Sequence, residues 1–255
     1  SSCNVAVDSS NSSNGGSSAM DAVMASLQSV FANLQLSQRA VCDLKSFASL
    51  LQLSETEQQD PIEFYKLFMG KMESEDNRQQ DMLRNSTLST VTQLLAGKEE
   101  YSTVCKSCRK ISSRTYPCNS IELPVDGCST VQDALDKYFA DELLSGDNQY
   151  HCDSAQCGCL RDATRRTTMP IVSPLVNIQL LRYQYDRKTY EKVKSRQKVT
   201  FPEKVAINGE VYCLTSVLYH KGRSAYGGHY VAEVLDWTAN TWWHCDDADI
   251  HLTGN

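Results

Sequence analysis

Nowhere in the chain does an apolar run reach the about eighteen residues that a membrane-spanning helix needs. The most apolar stretch, MPIVSPLVNIQLL, is interrupted by Ser173, Pro174, Asn177 and Gln179, so no membrane association is expected. Positive charge is also scarce: 25 Lys and Arg face 31 Asp and Glu, for a net charge of -6. A nucleic-acid platform is ordinarily basic, so that class of partner is not expected, a local basic patch aside. No unit of twenty to fifty residues recurs, which excludes a solenoid or propeller. The opening SSCNVAVDSSNSSNGGSS has no initiator Met, no basic start and no apolar core of the kind a secretory leader carries. These features predict a trimmed or partial chain from an intracellular compartment, the cytoplasm or nucleus. What is present is ordinary for a folded protein: 255 residues, 41% of them apolar and 22% charged, enough for a sizeable core.

Cysteine, by contrast, is abundant. The count of 11 is odd, where a closed set of disulfides is usually even. Cys105 and Cys108 form a C-x-x-C pair, and Cys152, Cys157 and Cys159 cluster further on. Thiolates at that spacing can grip one edge of a tetrahedral zinc ion, and a second pair from a distant hairpin can close the site. Cys152 with Cys157 is the better second pair, and Cys159 competes with Cys157. A four-thiolate site is closed and therefore structural, with no open position for catalysis. The remaining cysteines, among them Cys42, Cys118, Cys128, Cys213 and Cys245, read as packing or surface thiols.

The patterning divides the chain. Residues 1–18 are rich in Ser, Asn and Gly and read as a flexible tail or loop. A helix is predicted from Ala19 to about Gln35, with Val23, Leu27, Val30, Phe31 and Leu34 on one face. QQDPIEFYKLFMGKM signals another: Asp60 suits the N-cap, Pro61 the first helical position and Glu63 the capping partner, with Phe64, Leu67 and Phe68 as the buried stripe. KEEYSTV and KISSRTY read as two strands joined by the first cysteine pair. A helix opened by Ser129, with Gln132 as its capping partner, is predicted to run until Gly146. From Thr167 onward, runs of Val, Leu, Tyr and Trp are separated by turn residues. Helices, a cysteine-bearing strand pair and then a mostly antiparallel sheet make an α+β fold.

Two segments near the end carry the clearest chemistry. In SAYGGHYVAEV, Gly227 and Gly228 precede His229 and would let the backbone approach something narrow, such as an extended peptide. His229 then opens a strand, a rigid place for an imidazole. In WWHCDDADI, Asp246 and Asp247 end a neighbouring strand and could orient the ring through Nδ1. His220 is the rival histidine, without a glycine pair before it.

Six ordered segments then make a resemblance. QQDPIEF is similar to the QxDAxEF box of the ubiquitin-specific proteases, and VCKSC with YHCDSAQC to their finger cysteines. NIQLLRY resembles their LxLxRF strand, KVTFPEKV their FP strand, VYCLTSVLYHKGRSAYGGHYVAEV their histidine box and WWHCDDADI their terminal W-x-x-F-[ND]-D box. The resemblance implies a papain-like cysteine protease fold with a helical thumb (about 19–95), zinc-ribbon fingers (96–166) and an antiparallel β palm (167–255). It implies a thiol deubiquitinase that cleaves the isopeptide bond after ubiquitin's final glycine, with ubiquitin and ubiquitinated proteins as partners. His229 would be the base, with Asp246 and Asp247 behind it. Asp60, Glu63, Gly227, Gly228 and Tyr230 would meet ubiquitin's tail. One structural zinc would be held by Cys105, Cys108, Cys152 and Cys157.

One part of the pattern is missing. The family's nucleophile lies in a Gly-x-x-x-Cys-Tyr-x-Asn box, and nothing in the sequence fits it. Cys3, in SSCNVAV, has no helix start after it to lower its pKa. The sequence therefore predicts that the chain begins downstream of the box and is inactive by itself. A catalytically silent ubiquitin-binding module is the alternative, and a zinc-ribbon interaction protein without any role for His229 is a third.

Overall fold

A computed structural model describes residues 19–39, 41–54, 60–79, 94–186, 190–222 and 227–253. The expected tail over 1–18, including Cys3, lies outside them. The chain falls into two compact units, residues 1–92 and 93–255.

The first unit is helical: α1 (Ala19–Leu36), α2 (Lys45–Leu50) and α3 (Pro61–Gln79). Asp60 caps α3 as the sequence predicts, its Oδ1 accepting from the backbone N–H groups of Ile62 at 2.8 Å and Glu63 at 3.1 Å. Those two donors would otherwise be orphaned in the first turn. Phe64 and Phe68, one helical turn apart, stack at 6.0 Å, and Phe47 of α2 meets both rings edge-on. Among the described side chains of α3, Met69 and Met72 are fully buried; Leu67, expected in the stripe, is exposed, because the inward face lies one step round the helix from it.

The second unit is mostly β. One sheet has the order β2-β1-β7-β4, built from β1 (Gly97–Cys105), β2 (Ile111–Cys118), β4 (Glu142–Leu144) and β7 (Ala163–Ile171). Beyond it stands a short hairpin of β5 (Tyr150–Cys152) and β6 (Cys159–Arg161). β3 (Ile121–Pro124) pairs in parallel with β8 (Ile178–Leu181), the one parallel pair among the described strands. β9 (Tyr183–Asp186) pairs with β10 (Glu191–Lys194), and β11 (Lys204–Ile207) with β12 (Glu210–Cys213). The last sheet runs β13-β14-β15-β16, from β13 (Ser216–Lys221), β14 (His229–Asp236), β15 (Thr241–Asp246) and β16 (Asp249–Leu252). The architecture is α+β.

The helix α4 (Val131–Phe139) plugs the core of this unit with Val131, Ala134 and Leu135. They pack with Ile121, Leu123, Val125, Cys128, Met169, Val199 and Ile207. Its capping box is one residue later than predicted. Thr130, in extended conformation, accepts from the N–H of Asp133, whose carboxylate accepts in return from Thr130 and Ser129. A carboxylate makes the stronger partner for two backbone donors than the Gln132 amide. The helix ends at Phe139 rather than Gly146, because Glu142–Leu144 turns away to pair with β7.

Candidate active site and metal centre

The first knuckle lies between β1 and β2. Cys105 closes β1, its N–H bonded to the Lys110 carbonyl, and Arg109 returns the chain with a φ of 62°. The second lies between β5 and β6, where Ser154 O accepts from Cys157 at 2.8 Å and Gly158 at 2.9 Å, and Gly158 takes a φ of 57°. These turns bring Cys105, Cys108, Cys152 and Cys157 together, with all four sulphurs within 4.8 Å of one another. Sγ of Cys105 lies 4.0 Å from that of Cys157, and Sγ of Cys108 lies 3.6 Å from that of Cys152. Bonds of about 2.3 Å from a tetrahedral zinc put its thiolates about 3.8 Å apart, whereas a disulfide needs about 2.05 Å. The four thiols therefore fit a tetrahedral metal ion. Cys159 stands outside the set, its thiol directed at the Cys157 carbonyl at 3.0 Å.

The electrostatics of the cluster favour partial ionisation. The backbone N–H of Lys110 and the neighbouring thiols lower Cys108 to about 6. Cys157 is pushed up to about 12, mainly because its own thiol serves Cys108. An ion pair of Lys110 with Asp153, at 2.8 Å, also joins the two knuckles across the surface.

The second constellation is made by strand register. Lys221, the last residue of β13, is paired with His229, the first of β14. Ala232 is paired with Cys245, so Asp246 stands one step beyond, level with Val231. Alternate residues share a face, and Lys221, His229 and Asp246 therefore project on the same side. Asp246 Oδ1 accepts from His229 Nε2 at 2.6 Å, and its Oδ2 accepts from Lys221 Nζ at 2.9 Å. Lys221 first, then His229, holds the Asp246 carboxyl below its ordinary pKa. Asp247 is more remote: its carboxylate is 3.9 Å from Nε2 and 83% exposed, on a turn residue with a φ of 51°.

Two details differ from the sequence reading. Asp246 engages Nε2, not Nδ1, because the ring enters the row of strand ends from β14 with Nε2 foremost. With Nε2–H donating to the carboxylate, Nδ1 carries the basic lone pair. Lys221 was missed, since only the β13–β14 register reveals that it shares the acid.

The glycines before His229 also have an internal reason. A Cβ on Gly228 would lie 2.3 Å from His220 Nε2 and 2.6 Å from the Lys221 carbonyl oxygen, so the close approach is to β13 of this chain. Gly227 has open space where its Cβ would go. Tyr230 faces the other side of the sheet from His229, its ring 4.9 Å from that of His220. Asp60 and Glu63 stand at the start of α3 in the first unit.

A family model described as ubiquitin carboxyl-terminal hydrolase matches residues 3–254. The chain is 33% identical over 232 residues to ubiquitin carboxyl-terminal hydrolase 48 of Danio rerio, covering 88% of this chain and 22% of that protein. It is 33% identical over 250 residues to ubiquitin carboxyl-terminal hydrolase 26 of Oryza sativa subsp. japonica, covering 92% and 22%. The fold is similar to a chain in the structure of the SAGA Ubp8/Sgf11/Sus1/Sgf73 DUB module bound to ubiquitin aldehyde, with a TM-score of 0.74 and 19% identity over 94% of this chain and 57% of that one. The chain belongs to the ubiquitin carboxyl-terminal hydrolase family and has its α+β fold. It spans 22% of the length of these curated relatives.

Proposed function

We propose that these residues are the greater part of a thiol deubiquitinase domain acting on the isopeptide bond after ubiquitin's last glycine. The observation that carries the proposal is the 2.6 Å contact between His229 Nε2 and Asp246, within a chain of this family. It supports Nδ1 of His229 as the base that takes the proton of a cysteine thiol. The thiolate attacks the isopeptide carbonyl, and His229 returns the proton to the departing lysine amine. Water then cleaves the acyl-enzyme, again with Nδ1 taking the proton. Asp246 keeps the ring in its productive tautomer and stabilises the imidazolium, and Asp247 supports the same site.

The nucleophile belongs to sequence outside these 255 residues, since no Gly-x-x-x-Cys-Tyr-x-Asn box occurs within them. Gly227, with open space beside it, is the contact for ubiquitin's tail next to His229, whereas Gly228 and Tyr230 pack on His220; the resemblance separately assigns Asp60 and Glu63 of the first unit to ubiquitin's tail. Cys105, Cys108, Cys152 and Cys157 hold one structural zinc that ties the two knuckles together. The family's division applies: thumb over about 19–95, fingers over 96–166 and palm over 167–255. Partners are ubiquitin and ubiquitinated proteins. The compartment is the cytoplasm or nucleus, where the thiols remain reduced.

The test is hydrolysis of a ubiquitin–fluorophore conjugate by the full-length protein and by the 255-residue chain. Turnover by the former, abolished by His229→Ala, is expected; the latter should bind ubiquitin without turnover. If the full-length protein binds ubiquitin and never turns over, it is the catalytically silent module instead. If the 255-residue chain turns over and Cys3→Ser stops it, the nucleophile has been misplaced.

A further inference from the structure

His220 looks incidental in the sequence, a second histidine at the end of β13. Its surroundings say otherwise. The Nε2–Cε1 edge of the ring lies against the backbone of Gly228, so closely that a Cβ there would stand 2.3 Å from Nε2 and 2.6 Å from Cε1. The same edge faces Gly222, whose added Cβ would be 3.2 Å from Cε1 and 3.0 Å from the Gly228 Cα. One ring thus abuts both ends of the β13–β14 connection, and the second of those ends is the residue before His229.

The opposite edge of the ring is anchored. Lys194 of β10 donates to Nδ1 at 2.7 Å, and the Tyr183 hydroxyl of β9 lies 2.9 Å from the same nitrogen. Lys194 also donates to the carbonyls of His220 and Gly222, each at 2.9 Å. Burial lowers the Lys194 pKa, and the charge of Arg182 adds to that. Tyr230 closes one face of the ring at 4.9 Å. A side chain held at one edge by an ammonium and a phenol cannot swing aside, and Gly228 takes its place from it.

We infer that His220 is a positioning residue: anchored by Lys194 and Tyr183, it sets the backbone of Gly228 and through it the place of the His229 ring. This rests on the reading of His229 as the base. His220 itself moves no proton in the reaction. A displacement of the base by about 1 Å can cost on the order of a hundredfold in rate. A change at His220 should therefore appear in kcat far more than in ubiquitin binding, most of whose surface lies away from this ring.

The experiment compares His220→Asn, His220→Ala and Lys194→Met with the wild type in the full-length protein. Asn keeps an acceptor for Lys194 but removes the edge that meets Gly228, and Lys194→Met frees the ring without shortening it. Expected for His220→Asn is a fall in kcat of about tenfold or more, with KM for a ubiquitin–fluorophore substrate within about twofold. Lys194→Met should move kcat the same way by less. In the 255-residue chain, the imidazole N–H proton of His229 should lose the downfield NMR position that its bond to Asp246 confers. If kcat and that proton are unchanged in all three variants while His229→Ala is dead, the positioning role is wrong. If KM rises and the melting temperature falls in step with kcat, His220 is merely structural and the inference is equally overturned. If His229→Ala itself retains turnover, it is the reading of the base that fails.

Discussion

At the knuckles beyond β1 and β5, four thiols lie within 4.8 Å of one another, and each sulphur is placed by the short turn that carries it. At the edge of the β13–β16 sheet, Lys221, His229 and Asp246 meet only because the register brings three strand ends to one side of the sheet. One assembly is local twice over, two tight turns brought face to face. The other has no such turn to place its groups and depends on the residue-by-residue register of three strands. The difference decides what can be recognised beforehand and what can be damaged from a distance. A turn-built site is lost by changing its ligands. A register-built site is also open to damage through residues that touch no reactant, the role inferred above for His220.

The sharpest way to break the cysteine half is Cys152→Ser, which removes one of the two fully buried sulphurs. Metal content should drop from about one ion per chain to near zero, read by elemental analysis and thiol titration. Retention of a full equivalent would mean the cluster is not the metal centre. On the other side, His229→Ala in the full-length protein should cut kcat by about a thousandfold or more while ubiquitin affinity holds. Asp246→Ala should cost less, roughly ten- to a hundredfold, because an unoriented ring still works part of the time.

Lys221→Met sharpens the contrast, since it tests a residue recognised through register alone. The Asp246 carboxyl is held below its ordinary value by Lys221 and His229. A carboxyl lowered in the fold contributes stability above its unfolded pKa and loses it as pH falls through the folded one. Losing Lys221 raises that folded pKa, so the acid edge of thermal stability should move to higher pH. Turnover at neutral pH should change only a few-fold, roughly. An acid edge that does not move would show that the pair at 2.9 Å is a surface contact without effect. The smallest effect is outside both sites: Asp60→Ala should lower stability by about 1 kcal/mol through the lost N-cap of α3, measured by denaturant unfolding.

The cysteine cluster was legible down to its four members because the C-x-x-C of Cys105 and Cys108 already describes a turn, and only the choice between Cys157 and Cys159 had to await the geometry. His229 and Asp246 were legible through the ordered motifs around them, but the nitrogen that joins them was not, since ring orientation has no trace in residue order. Lys221 and His220 were hidden for the same reason: a strand pattern gives alternation, while partners come from the register between strands. The fold showed the same limit at its edges. Ser129 and Thr130 are both able caps, and the choice fell to the residue whose third neighbour is a carboxylate. Gly146 looked like a helix end, yet the short strand Glu142–Leu144 had already drawn the chain away.

The alternation along β14 also limits how descendants of this gene can vary in length. One residue added within the turn at 237–240 lengthens a surface loop and leaves every pairing above it intact. One residue added between Tyr230 and Ala232 turns the imidazole to the wrong side of the sheet and puts Tyr230 on the face of Asp246. No single substitution elsewhere undoes that exchange. Lineages that keep the chemistry should accumulate their insertions and deletions at the hairpin ends and almost never inside the strand, a pattern that a deep survey of related sequences can count.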